Sequence, residues 1–195
     1  MHDFVPLVDP DELPPDLRAQ YDATTRPGLR DFILMMGHAP DHFRRYNEAY
    51  LPLRFDNHLG PRQTEIVRLA VSQTTRCPVC MAGRVKAATD DGLTEELIGS
   101  LCTSDREGFT DAEVALLDFT LKFATDHLSI TDEQFAGLYD HFTAQQIMEL
   151  CFQVATFVGY GRMGAVLAMT DHLPTEYSDP DAVLAPWRQT PQEVV

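Results

Sequence analysis

Residues 153–165 read Q-V-A-T-F-V-G-Y-G-R-M-G-A, and two folds compete for them. Taken alone, the stretch looks like a strand running into a G-x-G-x-x-G dinucleotide fingerprint at Gly159, Gly161 and Gly164. Such a fingerprint works only inside a βαβ unit. The flanking residues do not supply one. Upstream, Thr143-Ala-Gln-Gln146 is a capping box, in which a threonine hydroxyl and a glutamine side chain satisfy N–H groups at the start of a helix. Downstream, the chain soon enters a proline-rich tail. From Ile147 to Met169 the residues are apolar on nearly every side, the mark of a helix surrounded by protein. Glu149, Gln153 and Arg162 within it argue against a membrane span. The glycines then serve the close approach of a neighbouring helix. A helix this apolar in a small chain also predicts burial partly at a subunit interface.

The same signals recur to either side. Thr110-Asp-Ala-Glu113 and Thr131-Asp-Glu-Gln134 are further capping boxes. After the first, Val114, Leu117, Leu121, Ala124 and Leu128 keep to steps of three and four and draw one apolar stripe. Gly60-Pro61 opens another helix, with Ile66, Leu69 and Ala70 on its inner side. An earlier helical region runs from about Leu29 through Tyr50 and bends near Ala39-Pro40. No alternating strand-length runs flanked by hairpin turns are visible. The expected fold is all-α, a helical bundle, with a core over 29–173. Residues 1–28 and 174–195 carry closely spaced prolines and are expected to be arms lying on the body or on a neighbouring subunit. Trp187, the only tryptophan, is a candidate docking anchor in the second arm.

At 195 residues and 44% apolar content, the chain fits one domain with its own core. A net charge of −15 repels phosphate backbones and anionic membrane surfaces, so neither nucleic acid nor a membrane is an expected partner. The first residues, M-H-D-F-V-P-L-V-D-P-D-E, lack a basic segment followed by an apolar one, and a cytoplasmic location is expected. Four cysteines, Cys77, Cys80, Cys102 and Cys151, are too few and too uneven for a secreted disulfide scaffold.

Two of them lie together in R-C-P-V-C-M-A-G-R-V-K, residues 76–86, and three readings apply: a redox pair, half of a metal site, or two buried thiols. A helix beginning near Thr75 or Arg76 would put Cys77 and Cys80 in its first turn, with Arg84 one turn further on the same face. The helix N-terminus and the two arginines would then favour a thiolate. Such a thiolate attacks a peroxide, and the second thiol captures the sulfenic acid as a disulfide. A structural zinc site needs four ligands, and no second cysteine pair or histidine cluster stands at ligand spacing, so no metal or cofactor is expected. Buried inert thiols are the third reading, because free cysteine packs as a small hydrophobe.

Glu65, then Cys77 twelve positions on, then Cys80, followed by A-x-x-D-D-G-L-T-E-E-L, resembles the carboxymuconolactone decarboxylase and alkyl hydroperoxidase D-like superfamily. The resemblance covers about Leu29 to Leu173. It implies an all-α fold that assembles as a homo-oligomer, commonly a trimer or hexamer. It also implies a relay in which Glu65 is the base, Cys80 meets the peroxide and Cys77 resolves it. Electrons would come from a dithiol donor such as a lipoylated protein. The peroxidase motif carries a histidine between the cysteines and another four residues after the second, and those positions are Val79 and Arg84 here. Arginine cannot shuttle a proton near neutrality. Arg84 therefore either holds Cys80 as a thiolate, the reading preferred on sequence, or pairs with Glu65 and takes the base out of play. His38, His42 and His58 are candidate substitute proton carriers, and Tyr46 and Tyr50, one turn apart, candidate pocket residues. The expected activity is that of a thiol-dependent peroxidase or disulfide oxidoreductase. Its competitors are a carboxymuconolactone-type decarboxylase and a non-catalytic assembly or small-molecule-binding protein on the same scaffold.

Overall fold

The computed structural model of the chain describes residues 5–24, 27–167 and 192–194. Proline starts helices here more than it stops them. Helices α1 (Pro15–Ala23), α2 (Pro27–Met36), α3 (Pro40–Phe55), α4 (Pro61–Thr75) and α5 (Pro78–Ala82) all open on a proline. The fixed φ and missing N–H of proline are harmless at that position. A three-residue strand β1 (Gly83–Val85) follows, then α6 (Lys86–Asp90), α7 (Glu95–Ser100), α8 (Asp111–Asp126), α9 (Asp132–Tyr139) and α10 (Ala144–Val166). Among the described residues the departure from helices is β1, which pairs in parallel with β2 (Gln192–Val194). The rest of the C-terminal arm, with Trp187, lies outside the described residues.

The predicted helix starts are present. At Thr110 and Thr143 the reciprocal capping bonds form, and at Thr131 the Gln134 side chain accepts the Thr131 N–H at 3.1 Å. The bend near Ala39-Pro40 separates α2 from α3. The glycines of the opening stretch lie inside α10, and among the described residues no βαβ unit surrounds them. Gly161 carries the close approach. A Cβ there would meet Thr75 Oγ1 at 2.5 Å, so only glycine lets α10 lie against the end of α4. Gly159 faces open space and has no such role.

The middle of the bundle is α4, whose residues Thr64 to Gln73 are all buried, packed against α8 and α10. A helix enclosed on every side must bury its polar residues too, and each then needs a partner. Gln73 donates to the Ile98 carbonyl at 2.8 Å, and Thr64 Oγ1 donates to Asn57 Oδ1 at 3.0 Å. Glu65 and Arg68, also on α4, form the site described below. A second apolar cluster of Leu13, Leu17, Ile33, Leu34 and Phe43 ties the N-terminal residues to α2 and α3. The described part of that arm therefore lies on the body, where Arg44 bridges Asp16 and Asp41 at 2.7 and 2.6 Å. Met148 and Phe152 on α10, with Leu51 and Phe55 on α3, stay exposed in the single chain.

Candidate functional site: a cysteine turn beside an aromatic cavity

The cysteine pair sits where two helices meet at an angle. Arg76 ends α4 in the left-handed region, at φ 52°, and the Cys77 N–H reaches back to the Ser72 carbonyl at 3.1 Å. That is a Schellman ending with arginine where glycine is usual, a conformation costing about 1–2 kcal/mol. It delivers Cys77 into the core with no exposure at all. Pro78 then starts α5, and Cys77 caps it, its sulfur accepting the Cys80 N–H at 3.3 Å. After one turn, extended Gly83 ends the helix. Cys77 and Cys80 are joined in a disulfide with their Cα atoms 5.2 Å apart.

The sequence expectation of one helix from Thr75 or Arg76 through Arg84 is corrected here. The left-handed Arg76 and the proline at position 78 stop α4 before the pair, and Gly83 stops α5 after it. Arg84 consequently lies in β1, off the α5 face. Its fully buried guanidinium pairs with Glu95 at 2.8 and 3.1 Å and donates to the carbonyls of Met81 and Gly83 at 2.7 and 2.8 Å. Burial lowers the Arg84 pKa to about 10, which leaves it charged at neutral pH. Glu95 opens α7, immediately after the G-L-T segment singled out in the sequence.

Glu65 is locked by a different arginine. Arg68, three residues on along α4, donates from Nη2 and Nε to the two Glu65 oxygens at 2.6 and 2.7 Å. The Val85 N–H adds a bond at 3.0 Å, and Arg54 Nη2 stands 3.9 Å from Oε2. Burial pushes this carboxyl up, but the Arg68 charge and bonds, Arg54 and the Val85 N–H outweigh it and hold it below its ordinary value. Arg68 also donates to the carbonyls of Cys80 and of Gly83, the latter at 2.8 Å. Arg68 and Arg84 thus satisfy the carbonyls at the end of α5, which cations at a helix C-terminus do well. A carboxylate filled on both oxygens and held below its ordinary pKa makes a weak proton acceptor.

Cys80 and Val79 line a cavity of about 760 Å³. Its walls are aromatic: Phe32, Phe43, Tyr46, Tyr50, Phe157 and Tyr160 all contribute. Tyr46 stacks on Tyr50 with ring centroids 4.9 Å apart and meets Tyr160 edge-on at 4.3 Å. Burial, with Tyr50 beside it, raises the Tyr46 hydroxyl well above the usual phenol range. Both tyrosines marked in the sequence are cavity residues. The histidines are not: His38 bonds the Pro6 carbonyl at 2.7 Å, and His58 pairs with Glu149 at 2.7 Å. Among the described residues no histidine lines the cavity.

Two cations share that cavity with Cys80, Arg68 and Arg54. Arg54 donates to the Tyr50 hydroxyl at 3.3 Å and lies 4.9 Å from the Phe55 ring centre. Its Nε is buried with no hydrogen-bond partner among the described residues. Sequence reasoning missed both arginines. The available signals were helical spacings: Glu65 to Arg68 at three, and Tyr46, Tyr50 and Arg54 in steps of four along α3. Cys102 and Cys151 do not line the cavity, and burial pushes the Cys102 thiol up to about 11 and raises that of Cys151. No cluster of metal-ligating side chains occurs among the described residues, and none of their helices is long and apolar enough to cross a membrane.

Residues 40–120 match the model of the carboxymuconolactone decarboxylase family. Among the solved structures that share the fold are two proteins. An alkylhydroperoxidase AhpD core, an uncharacterised peroxidase-related protein from Ralstonia eutropha JMP134, superposes with a TM-score of 0.68 at 22% identity, covering 85% of this chain and 90% of its own. A protein of unknown function from Agrobacterium tumefaciens, a candidate AhpD antioxidant defence protein, gives 0.61 at 19% identity over 71% of this chain and 95% of its own. No curated protein matches.

Proposed function

We propose that the chain, whose residues 40–120 match the carboxymuconolactone decarboxylase family model and whose fold is that of an alkylhydroperoxidase AhpD core, is a thiol-dependent oxidoreductase that reduces an organic hydroperoxide at Cys80. The observation that carries this reading is the division of labour in the pair. Cys80 lines a substrate-sized cavity while Cys77, one bond away, is sealed in the core.

In the reduced protein the Cys80 thiolate attacks the terminal peroxide oxygen. The O–O bond breaks, the leaving alkoxide takes a proton and departs as the alcohol, and Cys80 becomes a sulfenic acid. The Cys77 thiol displaces its hydroxyl as water, and the disulfide closes. A dithiol donor, such as a lipoylated protein, reduces it and is itself oxidised. Glu65 and Arg84 act in this scheme as positioning residues. Glu65 holds Arg68 on the Cys80 carbonyl, and Arg84 holds the end of α5 to Glu95. The uncovered apolar side chains on α3 and α10 support assembly as a homo-oligomer; a trimer or hexamer is what the family resemblance implies, and a cytoplasmic location is the sequence expectation.

The test is mass analysis of reduced protein after one equivalent of cumene hydroperoxide. A Cys77–Cys80 disulfide forms in the wild type, and Cys77→Ser stops at a dimedone-reactive Cys80. Unreacted thiols in both proteins would refute the proposal. One observation favours a second reading, a small-molecule-binding protein on this scaffold: Glu65, the expected base, is already saturated. In that case a ligand occupies the cavity and Cys80→Ser binds it unchanged.

A further inference from the structure

The buried charges beside Cys80 do not balance. Glu65 contributes one negative charge, and Arg68 takes it in a two-point ion pair. Arg84 is balanced by Glu95. Arg54 is left over, 3.9 Å from an oxygen already engaged, with its side chain only 10% exposed and its Nε unpartnered. No carboxylate among the described residues lines the cavity, whose polar contributors besides the arginines and tyrosines include Gln20, Asn47 and Ser72. A guanidinium held against aromatic walls with an unmet donor is costly unless an acceptor arrives with the occupant.

The occupant's body is described by the same walls. Seven rings, with Leu29, Ile33 and Leu51, line a volume of about 760 Å³, far more than hydrogen peroxide needs and within the range of about 300–1,000 Å³ typical of sites for drug-sized molecules. A neutral alkyl hydroperoxide would cover the rings and leave the surplus charge unmet. A small polar anion would meet the charge and leave the rings wet. We infer that the cavity is a site for an organic carboxylate with an apolar body, the carboxylate taken by Arg54 and the body by the rings of Tyr46, Tyr50, Phe157 and Tyr160. Resting on the peroxidase reading, the inference makes the substrate a hydroperoxide of an apolar carboxylic acid. Arginine suits the task, because its planar fork binds carboxylates at two points and stacks on rings while doing so.

Binding is tested on the disulfide form, where no turnover occurs, by calorimetry with sodium decanoate and decan-1-ol. The wild type binds decanoate at least about tenfold more tightly than decan-1-ol, the difference expected of a charge-assisted bond in a desolvated site. Arg54→Met loses that preference but keeps its affinity for decan-1-ol within about twofold, which also shows that the cavity has stayed folded. Equal affinity for the two probes in the wild type, unchanged decanoate binding in Arg54→Met, or no binding of either probe overturns the inference. The peroxidase reading is scored separately, by turnover of the reduced protein. There Arg54→Met lowers kcat/KM for linoleic acid hydroperoxide at least about tenfold more than for cumene hydroperoxide, whose own loss reports only what Arg54 does for the Cys80 thiolate. A wild type that turns over cumene hydroperoxide but shows no carboxylate preference sinks this inference alone.

Discussion

Glu65 separates a proton relay from a structural lock, and one substitution reads the difference. Glu65→Gln keeps the shape and removes the charge. In the structure that charge, fully buried, receives two Arg68 bonds, the Val85 N–H and the field of Arg54. The amide can accept with its oxygen, but its NH₂ then faces a guanidinium N–H, donor against donor. Breaking a buried ion pair by removing one partner costs about 3–5 kcal/mol, because the other charge stays behind. For a chain of this size that lowers the melting temperature by roughly 6–20 °C. Arg68→Met should cost a similar amount, whereas Glu65→Gln combined with Arg68→Met leaves no uncompensated charge and should lose much less than the sum. The assay is urea unfolding of the disulfide form for the wild type, both single variants and the double variant. A Glu65→Gln protein within about 1 kcal/mol of the wild type that has lost peroxide turnover would refute the lock and restore the relay, since a general base is expendable for stability. The pH dependence carries the same sign. Glu65 and Glu113 are both held below their ordinary value of 4.5 in the folded state. Their contribution is therefore complete above that value and is lost as the pH falls below it towards their folded pKa values. The acid limb of the stability curve should be shallower in the double variant.

Other consequences are quickly checked. Gly161→Ala places a methyl 2.5 Å from Thr75 Oγ1 and should cost about 1–3 kcal/mol, most of it recovered by adding Thr75→Ala; an undiminished melting temperature would show that α10 and α4 can part. In the reduced protein, iodoacetamide should modify Cys80 well before Cys77, because only Cys80 reaches the cavity; peptide mapping over time decides it, and equal rates would contradict the assignment of attacking and resolving thiols. Met148→Glu with Phe152→Glu should dissociate the proposed homo-oligomer by charging the exposed apolar face of α10, read by light scattering against the wild type; a monomeric wild type, or an unchanged mass in the variant, would refute an interface on that face.

What was legible in the sequence was local chemistry. Helix starts follow from a threonine with Glu or Gln three residues on, and Pro61 after Gly60 marks α4, because these devices act within one turn. The rejection of the dinucleotide fingerprint held for the same reason, since Thr143 and Gln146 commit the preceding turn to a helix. The cysteine turn was only half legible. Pro78 was in plain view, but a left-handed arginine at position 76 gives no signal in a residue type that rarely adopts that conformation. Everything downstream of that turn, including where Arg84 lies, inherited the error. Partnerships were least legible. Glu95, Arg68 and Arg84 are all charged residues within reach of the site in sequence, and only the path of the chain decides which carboxylate each arginine meets. Arg54 comes from a different helix and lies eleven residues before Glu65, a spacing that carries no motif.

A saturated Glu65 also changes what the surplus charge of Arg54 is for. In the proposed reaction, with the base occupied, the proton of the Cys80 thiol has to leave through the cavity, and the thiolate would be a second claimant on the positive charge that an apolar carboxylate would use. Two anions cannot both be neutralised by one guanidinium, so each should weaken the other. The disulfide carries no charge, and decanoate should therefore bind the oxidised protein more tightly than the reduced one, by about fivefold or more at pH 8, a typical coupling between sites. By reciprocity, decanoate should make the disulfide harder to reduce by the same factor. Cys80→Ser, neutral in either state, should bind like the oxidised form. Titrating oxidised, reduced and Cys80→Ser proteins at one pH measures this directly. Identical affinities in all three would mean that the thiolate draws its stabilisation from somewhere other than Arg54, and that substrate binding and the redox state of the pair are independent.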